Sequence, residues 1–154
     1  PRRAKKLARS LTGVARDRAL AAALMAKGDW KGLEDVIDRG QVDVNRWTND
    51  LAWGLLLDGR AAEALPHAER SLAIGRNPPL LHTVASAYVQ LGRFDDAAEL
   101  IAEVDTMLDE PDPDWAYVEA RIAEHVGLDA EPIWARLDAE VPDGPRSTRR
   151  LPRK

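Results

Sequence analysis

Cysteine is missing from all 154 residues. Its absence excludes a disulfide scaffold, a thiolate zinc site and a cysteine nucleophile, and it suits a reducing compartment, so the expected location is cytoplasmic. Aromatic residues are scarce, with one Phe, two Tyr and five Trp. β-Branched residues are few beside Leu and Ala, a balance that favours helix over sheet. Long apolar runs are lacking too. The longest, Ala19 to Ala26, falls well short of the ~20 residues that a spanning helix needs. The basic start leads into an Ala-rich stretch with interleaved charge rather than the apolar core of a signal peptide. A sequence that begins at Pro1 reads as a processed chain or a fragment, so an upstream membrane anchor stays open.

Catalytic constellations are equally thin. No Ser stands in a nucleophile elbow, no glycine-rich phosphate loop follows a strand, and no His pair has i, i+4 spacing. His67, His82 and His125 lie 15 and 43 residues apart. The carboxylates of Asp109 to Asp114, "DEPDPD", lack the turn glycine of a calcium loop and are interrupted by prolines. That run is read as a solvated turn ending in a helix cap. No catalytic residue, metal ligand or cofactor is assigned, and the chain is expected not to be an enzyme.

Charge is plentiful but partitioned. Residues 1–20 hold seven basic side chains against one acidic, and residues 146–154 hold five basic and no acidic ones. The stretch between, 21–145, carries 10 basic and 25 acidic residues, a net of −15. Such an acidic body is a poor nucleic-acid ligand, whereas the basic arms suit phosphate or anionic lipid, or simply fold back on the body.

A period then emerges. Gly28, Gly59, Gly92 and Gly127 recur at spacings of 31, 33 and 35, and seven residues before each stands Ala21, Ala52, Ala85 or Ala120. Ala64 and Ala97 follow five residues after Gly59 and Gly92. The pattern predicts antiparallel helix pairs: each Gly ends a helix in the left-handed conformation, and the alanines let the two helices approach closely. One hairpin cannot bury its apolar face, so the pairs must stack. Asn77-Pro78 and Asp112-Pro113 each place a cap acceptor before a proline at a helix start, and Pro66 is placed in or near a first turn. Helices are expected near 16–27, 31–38, 45–58, 61–75, 78–91, 94–108, 113–126 and 130–140, with a further helix possible over 2–12 carrying Leu7 and Leu11.

The two central units, "TNDLAWGLLLDGRAAEALPHAERSLAIGRNP" and "LLHTVASAYVQLGRFDDAAELIAEVDTML", resemble the tetratricopeptide-repeat family. Ala85, Tyr88, Gly92, Phe94 and Ala97 stand at its signature spacing. The flanking units depart from it: Leu33 replaces a small residue in the first, while Glu119 and Pro132 break the pattern of the last and put its register in doubt by one residue. The resemblance implies an all-α solenoid of helical hairpins, a right-handed superhelix of about eight helices. It divides the chain into a basic arm at 1–15, a repeat domain at 16–142 (units near 16–40, 45–76, 78–108 and 112–141), and a basic tail at 143–154 expected to be disordered.

In that family the first helix of each unit lines a concave groove. Helical spacing puts Asn49, Trp53 and Leu56 on one stripe, and moving 33 residues on gives His82, Ser86 and Val89, bordered by Gln90. Arg18, with Ala22 and Met25, continues the stripe 31 residues earlier. The implied function is a non-catalytic scaffold binding a protein or peptide along this groove, with Trp53 either an exposed anchor or a packed filler of the stack. Some family members clamp a carboxylate with basic residues and asparagine; here Asp50 and Thr83 on the stripe disfavour that. Trp30 and Phe94 are read as pins between hairpins, Trp115 and Trp134 as core, and Trp47 as neither. Two alternatives remain: association with anionic lipid or nucleic acid through the arms, and a regulatory or structural segment of a larger protein.

Overall fold

The computed structural model describes residues 13–110, 112–140 and 151–152. The possible helix over 2–12 lies outside them. Eight α-helices follow in order: α1 Gly13–Lys27, α2 Trp30–Asp38, α3 Val44–Leu57, α4 Ala61–Ser71, α5 Pro78–Gln90, α6 Phe94–Asp105, α7 Ala116–His125 and α8 Glu131–Glu140. Among the described residues there is no strand, and no helix is long and apolar enough to cross a membrane.

Each expected helix is present, with its ends set by local chemistry. Asp29, Asp43 and Asn77 cap α2, α3 and α5, their side chains accepting from the amides of Gly32, Asn45 and Leu80. Asp112 likewise accepts from the Asp114 amide, and the 3-10 turn Pro113–Trp115 opens the helical stretch that continues as α7. Two helices stop short of their expected ends. After Ser71 and Asp105 the chain tightens into three-residue bonds, with the Ile74 amide donating to the Ser71 carbonyl and that of Met107 to Val104. Pro66 sits at the sixth residue of α4, one turn deeper than expected, on the exposed side of the helix.

The four periodic glycines do what their spacing required. Gly28, Gly59, Gly92 and Gly127 have φ of 67°, 73°, 76° and 78°. At Gly59 the next amide, Arg60, donates to Leu55 while Gly59 donates to Leu56; the same double closure recurs at Gly92, where Arg93 donates to Tyr88 and Gly92 to Val89. A left-handed residue at this place satisfies the orphan carbonyls of the helix end and reverses the chain.

Packing then follows the hairpin scheme. Within units α1 meets α2, α3 meets α4, α5 meets α6 and α7 meets α8; between units α2 meets α3, α4 meets α5 and α6 meets α7. Helices α1, α3, α5 and α7 also touch in succession, forming one continuous row. Ala21, Ala52, Ala64, Ala85, Ala97 and Ala120 are all fully buried, as close helix approach demands. Burial of Ala120 together with the left-handed Gly127 settles the register of the last unit. Leu33 fills the first unit where a small residue was missing, Trp134 of α8 is buried against α7, and Glu119 stays only half-buried.

Candidate functional site: the inner helix row

The stripe lies along the row of α1, α3, α5 and α7, but it is not an open trough. Leu56, Ser86 and Val89 are fully buried and present no surface. Asn49, Trp53, His82 and Gln90 are half-buried, and only Arg18 is exposed. The shift from groove to seam has a physical cause: alanines at 52 and 85 bring successive inner helices close, so the row packs against itself.

Rings run along this seam. The Trp53 and His82 centroids are 5.3 Å apart, and His82 meets Trp115 edge-on at a further 5.3 Å. The choice for Trp53 thus falls between the two readings, since its ring is partly covered by α5 and partly accessible. Trp115 and Trp134 are core residues as expected. Trp47 joins the core too, with the Arg46 guanidinium 5.4 Å from its ring centre.

The seam also concentrates unpaired polarity. Among the described residues, Asn49 Oδ1, His82 Nε2, Ser86 Oγ and Trp115 Nε1 are buried without a hydrogen-bond partner. Asn49 and His82 stand at the same level of two successive units, ten residues before Gly59 and Gly92, and Trp115 meets the His82 ring from the 3-10 turn that precedes α7. Buried Thr48, Thr83 and Ser71 behave differently, each donating its hydroxyl to a carbonyl of its own helix. A buried polar atom left unpaired costs about 1–3 kcal/mol, so native cores seldom keep such atoms without reason.

His82 and Asp50, both on the row, are displaced from their ordinary values. Burial pushes the His82 imidazole below the usual histidine range, against the opposing pull of Asp114 and Asp112. Burial raises the Asp50 carboxyl, with Arg46 acting against it. Asp50 is half-buried and Arg18 exposed on this row. His67 pairs with Glu34 at 3.4 Å and His125 stacks on Phe94 at 4.1 Å, far from any shared site. No cluster of three or more metal-binding side chains exists among the described residues, "DEPDPD" included.

Sequence reasoning carried the stripe through three units and missed the fourth. Tyr117 precedes Gly127 by ten residues, as His82 precedes Gly92 and Asn49 precedes Gly59; Arg121 precedes it by six, as do Ser86 and Trp53 in their units. The glycine register would have found both. Tyr117 is buried and edge-on to Trp134 at 5.9 Å, and burial raises its phenol above the usual range. Its hydroxyl donates to the carbonyl of Pro152 at 2.9 Å and accepts from Arg121 Nη1 at 3.4 Å. Gln90 donates to the Leu56 carbonyl at 3.3 Å and helps line a cavity of about 250 Å3 with Arg121, Pro152 and the α3–α4 turn at Gly59. The expectation of a free tail therefore does not extend to Leu151 and Pro152: Leu151 is buried as part of the main apolar cluster.

No curated protein and no solved structure matched the chain. Residues 55–122, from the later part of α3 into α7, match a family model described as tetratricopeptide repeat. The match spans both signature glycine turns, Gly59 and Gly92, whose bond pattern and flanking alanines are described above. Over residues 55–122 the chain is thus similar to the tetratricopeptide-repeat family.

Proposed function

We propose that the chain is a non-catalytic interaction module whose inner helix row receives a protein or peptide segment. Tetratricopeptide repeats generally mediate protein–protein contact. What supports the reading here is the unpaired polarity at the matching positions Asn49 and His82, with Trp115 beside them, next to the half-accessible Trp53 ring. A row that only packed would gain by apolar residues at those levels; one that receives a backbone gains by donors and acceptors. The accessible contact residues are Arg18, Asn49, Trp53, His82 and Gln90, with Leu56, Ser86 and Val89 forming the floor beneath.

The reading is tested by isolating a partner and mapping it. Crosslinks from a copurifying protein should fall on α3 and α5, and the partner should be lost on Trp53→Ala with Asn49→Ala while the circular dichroism spectrum is kept. Retention of every partner by that double variant would count against the row. The lipid or nucleic-acid alternative rests on residues 2–9 and 146–154, which apart from 151 and 152 lie outside the described residues.

A further inference from the structure

We infer that the cavity built by Tyr117, Arg121, Gln90 and the Gly59 turn is a receptor for a Leu-Pro segment. The chain's own Leu151–Pro152 occupies it. Four observations carry this. Leu151 is buried to 4% exposure in a cluster otherwise made by the helices, although it lies eleven residues beyond the end of α8. The Pro152 carbonyl accepts from the Tyr117 hydroxyl at 2.9 Å, so backbone as well as side chain is engaged. The Pro152 ring lies 3.8 Å from where a Cβ on Gly59 would stand, ordinary van der Waals contact with the α3–α4 turn. Finally, the segment 146–154 carries five basic and no acidic residues while residues 21–145 carry a net −15, a long-range attraction that draws the tail to the body, whereas the cavity itself, lined by Arg60, Glu63 and Arg121, selects by Leu and Pro rather than by charge.

The chemistry suits an extended ligand. Proline has no N–H to leave unpaired and holds the preceding residue in extended backbone, so little conformational freedom is lost on docking. The Tyr117 hydroxyl supplies the donor that the Pro152 carbonyl accepts. A short tether holds the tail at an effective concentration in the millimolar range, so a partner offering the same chemistry must displace it. The tail is thereby a self-ligand that sets the threshold for binding. Docking in cis stands alone, whereas the class of outside partner rests on the interaction-module reading.

Two measurements on the full chain test this. The chain has no cysteine, so Ala62→Cys places a single nitroxide label on the cavity wall that Pro152 shares. The label should broaden the Leu151 methyl resonances, and Tyr117→Phe should reduce the broadening. Sharp, random-coil Leu151 signals would overturn cis docking, leaving the module reading to the Trp53 test. A fluorescein-labelled peptide of residues 146–154, RSTRRLPRK, should bind the full-length Leu151→Ser variant at least about tenfold more tightly than the wild type. Equal affinity for both, or equal binding of a control peptide with Ser-Gly in place of Leu-Pro, would overturn the proposed recognition.

Discussion

Trp30 of α2 lies against Gly54 of α3 so closely that a Cβ on Gly54 would clash with the six-membered ring of the indole, and the indole N–H donates to Asp58 at 2.6 Å. The ring is buried and tethered at its nitrogen, so it has no free direction in which to retreat. Gly54→Ala should therefore cost about 1–3 kcal/mol through overpacking, outweighing the roughly 1 kcal/mol that alanine gains over glycine inside a helix. Thermal melts would show it. Trp30→Leu in the same chain should make the two changes non-additive, since the second removes the obstacle to the first.

Ala85 is fully buried where α5 meets its neighbours. Ala85→Leu should destabilise by about 1–3 kcal/mol, whereas Ala98→Leu, on the exposed side of α6, should fall within about 0.5 kcal/mol of the parent. Denaturant midpoints for the pair measure this, and equal midpoints would show that the inner helices are not closely packed.

Gly92 has φ of 76° with nothing near its missing Cβ, so only backbone strain opposes a side chain there. Gly92→Ala should cost about 1–2 kcal/mol. Gly92→Asn should cost less, because asparagine tolerates the left-handed region. The order of the two variants in chemical denaturation is the check.

His82 offers a pH signature. Its folded value lies below the ordinary 6.5 because burial penalises the charged ring. The stability that the neutral ring supplies is complete above about pH 6.5 and is lost as pH falls through the lowered folded value. Melting temperatures should fall between pH 7 and pH 5, and more shallowly in His82→Phe. Parallel slopes for the two proteins would mean that His82 is accessible to water.

Much of this was legible in the chain. The glycine period, the alanines seven residues before each glycine and the capped prolines dictated helix count, helix order and hairpin turns, since these are short-range matters of φ, capping and residue volume. The ends of α4 and α6 escaped because a final helical turn and a 3-10 turn differ by one bond's reach. The stripe residues lie along α1, α3 and α5, and applying the glycine register to the last unit adds Tyr117 and Arg121 on α7.

Burial is where the two levels part. Periodicity places Leu56, Ser86 and Val89 on a face, but whether that face is open depends on what lies over it, and no local pattern encodes distance to a neighbouring helix. Leu151 shows the same point from the other side. Its basic, proline-bearing surroundings look like solvated tail, because the apolar cluster that buries it is assembled from helices far away in sequence. Local conformation, set by backbone strain and capping, belongs to the amino-acid order. The closure of the seam and the docking of Leu151–Pro152 belong to the assembled stack, because only there do surfaces distant along the chain meet.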